Sequence, residues 1–153
     1  MTIKIKICGT TSLEDARLAA DAGADMLGFI FYAPSPRNIT PEEATAIIRT
    51  LRDEMGDSAP LMVGVFVDEF VERVQAIQAQ AGLDALQLHG SEPPVEIRLL
   101  NPYAFKAIRP QNRGDAEGAV ATYSRVLPDN PAIPQIASRR KNTISGSWIA
   151  YRP

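Results

Sequence analysis

The one cysteine of the chain, Cys8, stands in Lys6-Ile7-Cys8-Gly9, at the end of a β-branched run and just before a helix-like segment. As a thiolate, favoured by the start of that helix and by nearby cations, it would serve as a base or a nucleophile. The commoner state of a free cysteine is a small buried filler, and the local sequence leaves both open. Arg37 lies between Pro36 and a helix start, where a stiff backbone would aim its guanidinium at a carboxylate or phosphate; the alternative is a solvated loop arginine. His89, the only histidine, follows Leu86-Gln87-Leu88 and fits either a structural imidazole or a site at a strand end. Asp68 follows a third apolar run and is expected to cap the helix after it. Lys106 and Arg109 would bring positive charge to the end of a fifth run, or else be solvated.

The apolar pattern supplies the elements that position these residues. Residues 3–7, 26–31, 61–67, 85–88 and 104–108 read as strands. Between and after them, residues 12–22, 41–52, 68–81, 92–100 and 115–126 read as helices. Ser12 starts the first, and Thr40-Pro41-Glu42-Glu43 starts the second with a cap, a first-turn proline and a capping-box acid. Apolar β runs alternating with helices indicate a parallel sheet built from βα units. The runs are nearly continuous in apolar residues, as expected of strands covered on both faces.

Two α/β architectures compete. A doubly wound sheet carries a ligand loop, often glycine-rich, after its first strand, where this chain has only Cys8-Gly9-Thr10-Thr11. A (β/α)8 barrel puts functional residues in the loops after many strands, and the loops after strands one, two, four and five carry them here. The regular pattern fails after residue 127. Residues 1–127 are therefore expected to form a partial barrel. Residues 128–153 form a divergent C-terminal segment with a proline-rich start, a solvated basic run at 139–141 and room for at most one further strand.

Composition excludes several classes of function. A chain of 153 residues with net charge −2 and pI near 5.4 fits one domain with no nucleic-acid footprint. One cysteine and one histidine exclude an internal disulfide, a cysteine-cluster metal site and the two-histidine zinc motifs. No window approaches the roughly 20 apolar residues of a membrane span. A soluble, cytoplasmic protein is expected.

The order of the motifs says more than any one of them. KICG, GFIFYAPSPRNITPEEA, VGVFVDE, LQLHGSE and FKAIRP follow one another between residues 3 and 126, and the series resembles the phosphoribosylanthranilate isomerase family of tryptophan biosynthesis. The resemblance implies a (β/α)8 barrel and an Amadori rearrangement of N-(5-phosphoribosyl)anthranilate, a phosphorylated sugar-anthranilate, with no metal or organic cofactor. It makes Cys8 the general base, Arg37 the clamp on the anthranilate carboxylate, and His89 a residue of the active-site face.

The resemblance also implies a departure. The family's general acid is an aspartate ending strand six; in Ile149-Ala150-Tyr151-Arg152-Pro153 that position holds Ile149, and the phosphate loops after strands six to eight would follow it. A full barrel takes roughly 200 to 250 residues. The expectation is an incomplete barrel of about five to six βα units, its open edges covered by self-association or by a complementary fragment. A catalytically silent half-barrel that binds a ligand or partner is the alternative.

Overall fold

Each strand run is followed by a residue suited to starting a helix, and the chain alternates accordingly. The computed structural model describes residues 4–123. Its order is β1 (Lys6–Cys8), α1 (Leu13–Asp21), β2 (Met26–Ile30), α2 (Pro41–Met55), β3 (Leu61–Phe66), α3 (Val71–Ala81), β4 (Ala85–Leu88), α4 (Pro94–Leu99), β5 (Ala104–Lys106) and α5 (Arg113–Tyr123). The caps predicted at Ser12 and Thr40 form. The Ser12 hydroxyl accepts the Asp15 N–H at 3.1 Å, and Thr40 and Glu43 close a reciprocal capping box ahead of Pro41.

All five strands are parallel and lie in the order β1-β2-β3-β4-β5. A doubly wound sheet reverses its order at a switch point, whereas this sheet adds each strand beside the last, as a barrel wall does. The register sorts the side chains. Cys8 pairs with Gly28, Gly28 with Val63 and Val63 with Ala85, so these share one face with Lys6, Met26 and Phe105. Val63, Ala85 and Phe105 form a small apolar cluster there, with Met26 against it. Leu27, Phe29, Met62, Phe66, Leu86 and Leu88 face the other way and join Ile47, Ile48, Leu51, Val74, Ile77 and Ile97 of the helices in the main core. Burial on both faces is why the strands read as continuous apolar runs.

The covering is incomplete at β1. Its outward Ile5 and Ile7 are 50% and 45% exposed, and among the described residues β1 has a strand neighbour on one side only.

Several element boundaries differ from expectation. β1 starts three residues later and ends one residue later than predicted, and residue 3 falls outside the described part. α3 starts at Val71 rather than 68, because Asp68 has a left-handed φ of 51° that no α-helix can contain. α4 starts at Pro94, which leaves Glu92 in the preceding loop. The boundary at 127, the basic run at 139–141 and Ile149 lie outside the described residues.

Candidate active site

Parallel strands point all their C-terminal ends the same way, so the loops after β1, β2, β3, β4 and β5 meet at one rim. Cys8 closes β1. It is half-buried, and Lys6 lies two residues earlier on the same strand face. Lys6 Nζ stands 3.2 Å from Cys8 Sγ. Across the sheet the register partner is Gly28, where a Cβ would come within 2.8 Å of Cys8 Sγ and 2.9 Å of Lys6 Nζ. Only a residue without a side chain leaves room for the pair.

Arg37 reaches back from the loop after β2. Its Nη1 donates to the Cys8 carbonyl at 2.8 Å, its only side-chain partner among the described residues. Gly9, at φ +88°, makes the path: a Cβ there would stand 2.7 Å from Arg37 Cδ. One of five guanidinium donors is thereby used, and the rest remain for a ligand.

His89 follows β4, its N–H held by the Phe66 carbonyl at 2.8 Å. Arg109, just beyond β5, donates from Nε to His89 Nε2 at 2.9 Å. Burial first, then the positive charges of Arg109, Lys106 and Lys6, hold the imidazole below its ordinary value against the opposing pull of Glu92. His89 is therefore neutral near pH 7 and able to accept. Lys6, Arg37 and Arg109 make no ion pair among the described residues. Three uncompensated cations around a thiol and a neutral imidazole suit an anionic ligand.

Two expectations need correction. Asp68 does not cap α3, whose N-cap is Phe70 without a side-chain bond; its carboxylate instead accepts the Ser91 N–H, which ties the loop after β3 to the loop after β4. Lys106 ends β5 beside the loop after β4, and it is not solvated. It is 3% exposed, on the helix-facing side of β5 with Ala104 by strand alternation. Its Nζ meets Glu92 Oε2 at 2.6 Å and donates to the Gly90 carbonyl.

Glu92, taken in sequence as a helix residue, is the hub that sequence reasoning missed. Its carboxylate accepts the N–H of Asp68 at 3.0 Å and of Gly90 at 3.0 Å. Burial works to raise this carboxyl, but the Lys106 and backbone hydrogen bonds outweigh it and hold it below the usual range. Tyr123 donates to the Glu92 carbonyl at 3.0 Å, docking α5 on the same loop. Lys6 was also missed, although its place two residues before Cys8 in a strand is a signal that alternation provides.

The sequence matches the family described as N-(5'phosphoribosyl)anthranilate isomerase over residues 5–131. The chain belongs to the phosphoribosylanthranilate isomerase family. An isomerase of that name from Syntrophus aciditrophicus is 47% identical over 113 residues, covering 73% of this chain and 47% of its own. One from Desulforudis audaxviator is 53% identical over 103 residues, covering 67% and 48%. Among solved structures, the phosphoribosylanthranilate isomerase of Thermotoga maritima superposes with a TM-score of 0.73 at 37% identity, covering 83% of this chain and 60% of that one. Another isomerase of the family, solved with reduced 1-(o-carboxyphenylamino)-1-deoxyribulose 5-phosphate, superposes at 0.71 with 37% identity, covering 78% and 60%. The chain spans about half the length of the curated relatives it matches. No helix among the described residues is long and apolar enough to cross a membrane.

Proposed function

We propose that this chain supplies the base and the carboxylate clamp of a phosphoribosylanthranilate isomerase, converting N-(5-phosphoribosyl)anthranilate to the carboxyphenylamino deoxyribulose phosphate. The observation that carries the reading is the junction of Cys8 and Arg37, joined by one hydrogen bond at the strand ends, with His89 and further cations at the same rim. Once an acid has protonated the ring oxygen and the furanose has opened, the sugar C1 is an iminium carbon. The Cys8 thiolate then takes the proton from C2, and the C–H electron pair forms C1=C2 while the iminium electrons return to nitrogen. The resulting enolamine tautomerises to the ketose. Arg37 holds the anthranilate carboxylate, which fixes the nitrogen end of the substrate. Neutral His89, with Arg109 on its ring, lines the face the sugar crosses. None of the described residues is assigned the acid role.

The direct test is the fluorescence decay of freshly generated phosphoribosylanthranilate on adding the chain. Decay no faster than the spontaneous rate would overturn the reading and leave a half-barrel that only binds. Arg37→Ala is expected to raise KM by about 10- to 100-fold with kcat changed by no more than a few-fold, the loss of one charged hydrogen-bonded contact felt in ground and transition state alike. An unchanged KM would remove Arg37 from the carboxylate.

The edge at β1 bears on how the active form assembles. Among the described residues β1 has a strand partner on one side only, and Ile5 and Ile7 are about half exposed on it, which supports an assembly in which a second copy or a complementary fragment covers that edge. Light scattering at micromolar concentration is expected to give more than the monomer mass; a clean monomer counts against it. A free, half-buried thiol suits a reducing compartment, which supports the cytoplasm as the place of action.

A further inference from the structure

Lys6 sits on the inward face of β1 with no carboxylate partner among the described residues, and its one hydrogen-bond acceptor there is a sulfur. A lysine in such a place is normally paired or turned to water. Here the sheet is shaped around it: the strand-interior glycine opposite, Gly28, leaves the space that Lys6 Nζ and Cys8 Sγ occupy. The other charged or titratable groups near the thiol are Arg37, bonded to the Cys8 carbonyl, and the His89–Arg109 pair at the ends of β4 and β5. None of these donates to the sulfur.

We propose that Lys6 is a positioning residue that holds Cys8 as a thiolate and aims it, and that Gly28 is the residue that lets the two meet. The inference rests on the isomerase reading for its purpose, but not for its test. An ammonium donating to sulfur stabilises the charged form over the thiol. It also fixes the sulfur's direction, so that a lone pair not engaged by Lys6 is offered to the substrate C2 proton. After that transfer the sulfur is neutral and the ammonium has lost its acceptor, so the arrangement favours returning the proton in the next step.

Because Cys8 is the only cysteine, alkylation by iodoacetamide followed by mass spectrometry reads this one atom. The quantity to compare is the ratio of the rate at about pH 7 to that at about pH 9.5, which follows the thiolate fraction and cancels access to the sulfur. The native chain is expected to show a ratio about tenfold above that of the same chain unfolded in urea. Lys6→Met should bring the native ratio down to the unfolded one, Lys6→Arg should keep most of it, and Gly28→Ala should lower it by pushing the pair apart. Equal ratios for native and unfolded wild type would overturn the proposal without any variant, as would a Lys6→Met chain that keeps the native ratio. A raised ratio in a chain with no isomerase turnover would sink the functional reading and spare the pair; turnover with an ordinary ratio would do the reverse.

Discussion

Lys106→Met is expected to destabilise the fold by about 3–5 kcal/mol in urea unfolding, because it removes one partner of a buried ion pair and strands the other. The side chains of Lys106 and Glu92 are 3% and 1% exposed, so water cannot take over the missing contact. The loss reaches further than one pair. Glu92 also holds the N–H groups of Asp68 and Gly90, and Lys106 holds the Gly90 carbonyl. Glu92→Ala should therefore cost about as much, since it strands the Lys106 ammonium and leaves two part-buried N–H donors without their acceptor.

In the double variant the penalties should fall well short of their sum, because each single change already destroys the shared contact. Acid gives an independent check. The Glu92 carboxyl is depressed in the folded chain, so its stabilisation is present above the ordinary value of 4.5 and is lost as pH falls below it towards the depressed folded value. Wild type should lose stability in that range more steeply than Glu92→Ala. A Lys106→Met midpoint that shifts by less than about 1 kcal/mol would show that the pair is not buried as described.

The second large effect is on turnover. Cys8→Ala is expected to reduce kcat for phosphoribosylanthranilate by about 10² to 10⁴, the usual weight of a positioned general base, while leaving the unfolding midpoint close to wild type. The side chain is half-buried and small, and removing its sulfur opens little cavity. Binding through Arg37 should survive, so KM should move little. Cys8→Ser is expected to resemble Ala, because a hydroxyl in the same place is far too weak an acid to be present as its anion. A Cys8→Ala chain that turns over within a few-fold of wild type would remove the thiol from the mechanism altogether.

Local rules that depend on neighbours in sequence were readable. The capping box at Thr40 and the Ser12 cap follow from spacing alone, and the apolar runs located all five strands. Asp68 was misread for a physical reason: an acid just after a strand and just before helix-forming residues looks like a cap, and only the left-handed backbone at that residue, coupled to Ser91 across the rim, shows otherwise. Lys106 and Glu92 were misread because charged residues are expected in water unless paired, and the pairing joins β5 to a loop that precedes another helix. The two lie 14 residues apart with α4 between them, so no helix or strand periodicity couples them. Cys8, Arg37 and His89 were recognisable as candidates through the order of their motifs, whereas the junction of Arg37 with Cys8 depends on Gly9, whose role only the folded backbone reveals.

The unbroken strand order bears on how such a chain emerges from the ribosome. Lys6 pairs with Met26, Met26 with Leu61, Val63 with Ala85 and Leu86 with Ala104, so each of β2 to β5 pairs with the strand synthesised just before it. No strand waits for a distant segment before it can bond on one side, and the cost of closing each loop stays small. Among the described strands the growing edge of the sheet is always the newest one, while Ile5 and Ile7 stay half exposed on β1 as the others are added. Until that edge is covered, β1 is the surface through which nascent chains of this protein would stick to one another.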